Sequence, residues 1–260
     1  MIDTEEPMGK IIALFNQKGG VGKTTSCANL CACLAENGKH VLAVDFDPQS
    51  NLTSGLSIER KKLKRSIYHV LINEVSAKDA IMPTSIPNLD ILPASIDLAG
   101  AEIEMSNISQ RETILKRALE SVSKSYDYIL IDCPPSLGLL PINALSAASG
   151  VLIPIQCEYY ALEGVSQLMN TINLVKRSLN PNLEVLGVLL TMYDSRTNLS
   201  QQVIDEVRNF FGSKVFATVI PRNVRLAEAP SYGMTIIEYD KNSKGALAYQ
   251  ELAKEVIRRK

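Results

Sequence analysis

A glycine-rich segment that carries two lysines is the part of the sequence whose residue types best suit chemistry. Residues 18–25 read KGGVGKTT and lie between a short apolar run, Lys10–Phe15, and a segment of helical composition, Lys23–Asn37. In a strand–loop–helix setting, glycines let backbone N–H groups converge on phosphate oxygens at the positive end of a helix. The segment therefore predicts a phosphate-binding loop for ATP.

Individual positions of this loop have expected roles. Lys23 would reach the β- and γ-phosphates, and the Thr24 hydroxyl would ligate Mg²⁺. One loop needs a single lysine on its own phosphates, so Lys18 can reach a nucleotide on a second subunit as a trans-acting cation. Gln17 stands where the general G-x-x-x-x-G-K-[ST] pattern has its first glycine. The predicted cradle consists of Lys18, Gly19, Gly20, Val21, Gly22, Lys23, Thr24 and Thr25.

Carboxylates follow two other predicted strands. Asp45 and Asp47 end the run that begins at His40 (HVLAVDFD), and Asp132 ends the run YILID. The carboxyl ends of parallel strands face the ligand crevice of an α/β sheet. Asp132 is therefore predicted to hold Mg²⁺ through water, because Mg²⁺ usually keeps part of its hydration shell. Asp-Pro is also common in turns, but the neighbouring phosphate loop favours a functional role for Asp47.

The elements that must position these residues alternate between strand and helix. Such alternation, with near-continuous apolar strands, implies an α/β fold with a mostly parallel twisted sheet covered by helices on both faces. We expect one P-loop NTPase domain at residues 8–260, preceded by a short acidic, disordered tail at residues 1–7. The further predicted strands are Leu89–Leu92, Gly150–Ile155, Leu186–Thr191 and Val215–Ile220, and the further predicted helices are Arg111–Ser123, Asn198–Phe211 and Lys244–Arg259.

Composition argues against several classes of protein. The net charge of −1 over 260 residues argues against a constitutively basic nucleic-acid binder, although a local or dimer-assembled basic patch stays open. No apolar run approaches the ~18 residues of a membrane span. The five cysteines form no CxxC pair and are interpreted as small core thiols of a cytosolic protein. The dense basic run Glu59–Arg65 is interpreted as a solvated loop or helix start in preference to a binding site.

The glycine-rich motif and later segments resemble a known family. KGGVGKTT is similar to the deviant Walker A motif of the ParA/MinD ATPases, in which the first lysine marks ATP-sandwich dimers. The segments TMYDSRTNL and VIPRNVRLAEAPSYG resemble chromosomal ParA proteins of the Soj type. The resemblance runs from about Met8 to the end of the chain. It implies an ATP hydrolase, slow without its partner, that forms a homodimer when it binds ATP.

The resemblance also implies roles for residues outside the loop. Asp47, in a segment that looks like the family's DxDPQ, would orient or activate the attacking water. Lys18 and Lys23 would be the other catalytic residues. Pro221 and Asn223, in the PRN segment, would border the adenine.

Two arginines and the expected partners come from the same resemblance. Arg196 and Arg225 would bind double-stranded DNA non-specifically once the ATP-bound dimer forms, whereas by themselves they read as solvated loop residues. A ParB-type centromere-binding protein would stimulate hydrolysis and so dissolve the dimer. The implied function is chromosome or plasmid partitioning by a cytoplasmic, nucleoid-associated protein.

Other members of the superfamily provide the alternatives. A MinD-like membrane-associated positioning ATPase would share every nucleotide motif but needs a free, basic-faced amphipathic terminal helix. Glu251 and Glu255 interrupt the polar face of Lys244–Lys260, so we expect this helix to pack on its own domain and expect no stable membrane association. A relative of the nitrogenase iron protein would need well-placed cysteines, and a tyrosine kinase a tyrosine-rich tail.

Overall fold

A single sheet forms the centre of the domain. The computed structural model describes residues 9–158 and 164–259, so the tail predicted at residues 1–7 lies outside the described residues. Within those ranges the strands are β1 (Lys10–Leu14), β2 (Val41–Asp45), β3 (Met82–Pro83), β4 (Leu89–Leu92), β5 (Tyr128–Asp132), β6 (Gly150–Gln156), β7 (Glu184–Tyr193) and β8 (Val215–Pro221). Their order across the sheet is β3-β4-β2-β5-β1-β6-β7-β8. All neighbouring strands are parallel except β3 and β4, which confirms the predicted fold class.

Helices cover both faces of this sheet. Successive side chains of β1 alternate between two cores, since Ile11 and Ala13 face one helical layer while Ile12 and Leu14 face the other. The helices in the described ranges are α1 (Lys23–Glu36), α2 (Asn51–Gly55), α3 (Ile67–Leu71), α4 (Ala77–Ala80), α5 (Leu98–Glu104), α6 (Ile114–Glu120), α7 (Leu139–Ala147), α8 (Val165–Ser178), α9 (Asn198–Phe211), α10 (Val224–Glu228), α11 (Ile236–Tyr239) and α12 (Lys244–Arg258). Helices α1 and α12 belong to one layer, and α3 to α9 belong to the other.

Helix α1 carries the phosphate loop at its N-terminus and lies inside the domain. It begins directly after Gly22 and ends before Gly38, whose φ of 75° suits a helix C-terminus. Its small side chains fit between the sheet and α12, where the Ser26 and Tyr249 hydroxyls are 3.0 Å apart. The positive end of a buried, well-anchored helix is thereby fixed at the site.

The helix predicted at Arg111–Ser123 is wrong in its bounds. Residues 111–113 form a 3₁₀ turn, and the α-helix α6 spans only Ile114–Glu120. The cause is a side chain from α7: the Leu115 N–H donates to Asn143 Oδ1 at 3.1 Å, and Asn143 Nδ2 donates to the Arg111 carbonyl at 2.8 Å. Asn143 thus replaces the backbone bond that would have continued the helix toward its N-terminus.

The terminal helix α12 packs on its own domain, as the sequence predicted. Its apolar face, including Leu252 and Val256, is fully buried. The Glu255 carboxylate accepts the backbone N–H groups of Ala217 and Thr218, at 3.0 and 2.8 Å, and so ties the helix to β8. Over the part of the chain that the structure describes, we find no helix both long and apolar enough to cross a bilayer.

Candidate nucleotide-binding site

The glycine-rich loop runs from the end of β1 into α1 and is held from two neighbouring strands. Gly20 and Gly22 have φ values of 74° and 88°, a left-handed conformation that glycine adopts without strain. Asn16 links the loop to β6. Its Nδ2 donates to the Pro154 carbonyl at 2.7 Å, and its Oδ1 accepts the backbone N–H of Lys18 at 3.0 Å. The Thr191 hydroxyl of β7 donates to the Val21 carbonyl at 2.9 Å. These contacts fix the backbone on which a phosphate would rest.

The two lysines of the loop lie in different environments. Lys23 is only 6% exposed, and its Nζ donates to the carbonyl of Lys18 at 3.0 Å. Burial lowers the pKa of Lys23, while the carboxylates of Asp132 and Asp47 oppose that shift. The side chain of Lys18, in contrast, is exposed to solvent. Lys23 can therefore serve the nucleotide of its own subunit, and Lys18 is accessible to a second molecule.

Asp132 ends β5 as predicted and is fully buried. Neither of its carboxylate oxygens has a hydrogen-bond partner within the described residues. Burial raises the pKa of Asp132 well above its usual value, and the negative charge of Asp45 adds to the rise. The Thr24 hydroxyl, which approaches without completing a hydrogen bond, and Lys23 act in the opposite direction. A buried carboxylate without partners is costly unless a cation neutralises it.

The donor set around Asp132 fits Mg²⁺. In the described ranges no three His, Cys, Asp or Glu side chains gather as a protein-only metal cluster. Mg²⁺ does not need such a cluster, because it is commonly held by one or two carboxylates together with substrate phosphates and water. The oxygen atoms of Thr24 and Asp132 beside the phosphate loop match that pattern.

The two aspartates at the carboxyl end of β2, Asp45 and Asp47, differ in the hydrogen bonds they make. Asp45 is fully buried, and its Oδ2 accepts both the N–H and the hydroxyl of Thr53, at 2.7 and 2.6 Å. Burial raises the pKa of Asp45 to about 6. Asp47 is 8% exposed, and only its Oδ1 accepts a hydrogen bond within the described residues, from the Gln49 N–H at 2.9 Å. Asp45 thus holds the turn, while Asp47 keeps one oxygen available.

A cavity of about 370 Å³ adjoins the phosphate loop beyond β8. Pro221 and Asn223 line it together with Gly22 and Thr25. Asn223 also caps α10, since its Oδ1 accepts the Arg225 N–H at 2.8 Å. Its Nδ2 group makes no hydrogen bond within the described residues and is left for a ligand. The cavity also contains residues to which the sequence analysis assigned no role, namely Thr191, Met192, Leu226 and Tyr249.

The two arginines predicted to contact DNA lie beyond the ends of adjacent strands, β7 and β8. The Arg196 guanidinium forms two hydrogen bonds with the Asp194 carboxylate, at 2.8 and 2.6 Å, and Arg196 is exposed. Arg225 contacts Glu228 at 3.1 Å and Asp240 at 3.8 Å. Both arginines therefore lie at the carboxyl ends of the strands, on the same side of the sheet as the nucleotide site but outside the phosphate loop.

Comparison with known proteins agrees with this arrangement. A protein-family model described as an AAA domain matches residues 9–185. Over 249 residues the chain is 61% identical to the sporulation initiation inhibitor protein Soj of Bacillus subtilis. The match covers 96% of this chain and 98% of that protein. It is 52% identical over 252 residues to the chromosome partitioning protein ParA of Myxococcus xanthus, with 97% and 89% covered.

A solved structure extends the comparison. Cobyrinic acid a,c-diamide synthase from Mycobacterium smegmatis, with bound ADP and magnesium, matches with a TM-score of 0.86 and 42% identity, covering 96% of this chain and 95% of that chain. The shared length, the fold and the deviant phosphate loop agree with one another. The chain therefore belongs to the ParA/MinD family of P-loop ATPases, on the branch of Soj-type chromosomal ParA proteins.

Proposed function

We propose that the protein is a ParA-type ATPase for chromosome or plasmid partitioning, which forms a DNA-binding sandwich dimer with ATP and is reset by hydrolysis. The observation that carries the proposal is the contrast between a buried Lys23 and an exposed Lys18 in one phosphate loop. The Soj and ParA relatives also match the chain at higher identity than the synthase does, which favours a partitioning role.

Hydrolysis would be carried out by residues of the phosphate loop and the adjoining strand ends. The backbone N–H groups of residues 18–25 and the Lys23 ammonium would bind the β- and γ-phosphates. Asp47, with one oxygen available, would orient the attacking water and accept its proton. Mg²⁺, held by Thr24 and Asp132, would neutralise charge that develops on the phosphates.

The remainder of the nucleotide would occupy the cavity beyond β8. Pro221 supplies an apolar wall for the adenine, and Asn223 offers its Nδ2 donors to the base edge. A ring bound between an apolar wall and a few polar groups is the usual pattern of a nucleotide pocket. The ADP and magnesium bound to the M. smegmatis relative support ATP and Mg²⁺ as the ligands of this chain.

Dimerisation would link the nucleotide to DNA. Lys18 would cross to the phosphates of the facing subunit, so the dimer would be stable only while both sites hold ATP. Arg196 and Arg225 of both subunits would then act on one duplex, although each monomer is nearly neutral overall. A ParB-type partner would stimulate hydrolysis and release the protein from the nucleoid into the cytoplasm.

A membrane-anchored, MinD-like use of the same site is the alternative. The burial of the apolar face of α12 and its attachment through Glu255 do not favour it, because a surface-binding helix needs that face free. Binding of the protein to anionic liposomes with ATP would support this alternative.

Substitution of the two lysines separates the proposed roles. Lys23→Ala should abolish binding of a fluorescent ATP analogue, because it removes the buried cation on the phosphates. Lys18→Ala should bind the analogue normally and remain monomeric with ATP when its mass is measured by light scattering. Lys78→Ala, which removes an exposed lysine of α4, is the control and should dimerise. A Lys18→Ala protein that dimerises as well as the control would contradict the proposal.

A further inference from the structure

A second cavity, of about 380 Å³, lies on the other side of the turn that carries Asp47. Its floor is the turn itself, through Pro48, Gln49 and Ser50, and its walls come from the segment after α2 and from the residues that follow β4. We call this cavity the basic groove. The cationic residues that line it are Arg60, Lys61 and Arg65, and the apolar ones include Leu63 and Ile96.

The basic run of the sequence is therefore divided between two environments. The sequence interpretation of Glu59–Arg65 as a solvated segment fits Lys62 and Lys64, which do not line the groove. Lys61 and Arg65 do line it, and neither makes an ion pair with a carboxylate within the described residues. Arg65 Nη1 donates to the Asp79 carbonyl at 3.4 Å, near the Asp79 carboxylate, whereas Lys61 faces the cavity without such a contact.

The groove is also connected to the proposed catalytic carboxylate. Arg60 Nη1 donates to the Gln49 carbonyl at 2.8 Å, and the Gln49 N–H donates to Asp47 Oδ1 at 2.9 Å. Ser50, the next residue, has a φ of 55°, a conformation that is uncommon for residues other than glycine. An anion that drew Arg60 away from Gln49 would therefore loosen the turn on which Asp47 depends.

We propose that the basic groove docks an acidic, partly apolar peptide segment of a partner protein, and that docking acts on Asp47 through Arg60 and Gln49. The docking site stands by itself, while its effect on hydrolysis rests on the proposed function. The cations match carboxylates, and Ile96, which is 69% exposed, offers an apolar contact next to them.

The lining favours a peptide over a nucleic acid. Asp97 is part of the groove and would repel a continuous phosphate backbone, whereas a peptide can place an apolar side chain opposite it. The arginines proposed for DNA follow β7 and β8, whereas the groove follows β2 and β4 near the opposite edge of the sheet. A peptide with alternating acidic and apolar side chains satisfies both the cations and the apolar wall.

The test uses a short fluorescein-labelled peptide of alternating Glu and Leu, with the full-length protein and no nucleotide. Fluorescence anisotropy should show binding to the wild type and a loss of about five- to tenfold in affinity for Lys61→Gln/Arg65→Gln, the loss expected when two exposed charge pairs are removed. Lys62→Gln/Lys64→Gln removes the same charge from the same run outside the groove, and it should bind within about twofold of the wild type.

Three results would overturn the docking proposal. The first is that the wild type does not bind the peptide, and the second is that the two double variants lose affinity equally. The third is that a duplex oligonucleotide displaces the peptide and that binding of this oligonucleotide requires Lys61 and Arg65. In the coupled assay, the peptide should change the ATP hydrolysis rate of the wild type but not that of Arg60→Gln, and an equal change in both would overturn the coupling through Arg60. A wild type that binds the peptide but hydrolyses no ATP would support the groove and count against the proposed function.

Discussion

At the scale of single residues, the proposed site separates carboxylates that build it from carboxylates that act in it. Asp45 has its Oδ2 engaged by Thr53 and holds the turn. Asp132 is buried and has no hydrogen-bond partner among the described residues, which is unfavourable until a cation binds. Asp47 is nearly buried and keeps one oxygen available beside the loop. Each of the three is thus suited to a different task.

Substitution of Asp47 tests its role in hydrolysis. Asp47→Asn should reduce the rate of ATP hydrolysis by about 10²- to 10⁴-fold, the usual contribution of a positioned general base. ATP binding and dimerisation should persist, because the lysines and the loop backbone are unchanged. Phosphate release measures the rate, with Glu120→Gln on the exposed face of α6 as the control. Full activity in Asp47→Asn would remove this residue from the mechanism.

The ion pair between Arg196 and Asp194 leads to a prediction that a substitution will strengthen DNA binding. Asp194 holds the Arg196 guanidinium through two hydrogen bonds, and the pairing lowers the pKa of Asp194. Asp194→Asn should free the arginine and tighten ATP-dependent DNA binding by roughly two- to fivefold, the range of an exposed ion pair. Asp205→Asn, which removes an exposed carboxylate of α9, controls for net charge. Weaker DNA binding by Asp194→Asn would mean that the carboxylate orients Arg196 for its ligand.

At the scale of elements, one carboxylate of α12 adds polar contacts to β8 beside the apolar packing between them. Glu255 accepts two backbone N–H groups and the Thr218 hydroxyl. Glu255→Gln replaces one acceptor oxygen by a donor, so it should lower the free energy of unfolding by about 1–3 kcal/mol. Urea denaturation measures the change. Glu251→Gln, on the same helix but paired with Lys254 in solvent, should leave the midpoint unchanged, and equal effects would contradict this account.

Local patterns predicted the elements that depend on local chemistry. The strands at Leu89–Leu92 and Tyr128–Asp132 have the predicted bounds, because each is a short, mostly apolar segment in a buried, mostly parallel sheet. The start of α6 could not be predicted, since Asn143 interrupts it from 28 residues away in the sequence. Helix α7 was not predicted either, because it is apolar on all sides and contains Pro141.

The site likewise combines residues that a local sequence pattern predicts with residues that only the folded chain brings together. Residues 18–25, Asp47 and Asp132 are visible in the sequence, because phosphate and Mg²⁺ chemistry needs particular residue types beside strand ends. Thr191 and Tyr249 carry no such signal, since they reach the cavity only because β7 and α12 fold next to the loop. The basic groove was missed because its two walls are separated along the chain by α3, α4, β3 and β4.

At the scale of the whole molecule, the nearly neutral charge makes assembly the step that would create affinity for DNA. In the proposed dimer each subunit would contribute Arg196 and Arg225, so two subunits would supply four phosphate contacts. With about 0.9 counterions released per contact, log K should fall against log salt with a slope of about −3.6. Arg225→Ala should reduce the slope to about −1.8, because it removes one contact from each subunit. A slope that is unchanged by this substitution would exclude Arg225 from the interface.

Binding of the protein to non-specific duplex DNA, measured with ATP and with ADP, tests whether the nucleotide controls its affinity for DNA. We expect binding with ATP and none with ADP, and a marked loss of affinity in Arg196→Ala and in Arg225→Ala proteins that still dimerise. Equal binding with ATP and ADP, or no binding by a wild type that forms the ATP dimer, would contradict the account of a nucleotide-controlled DNA-binding switch.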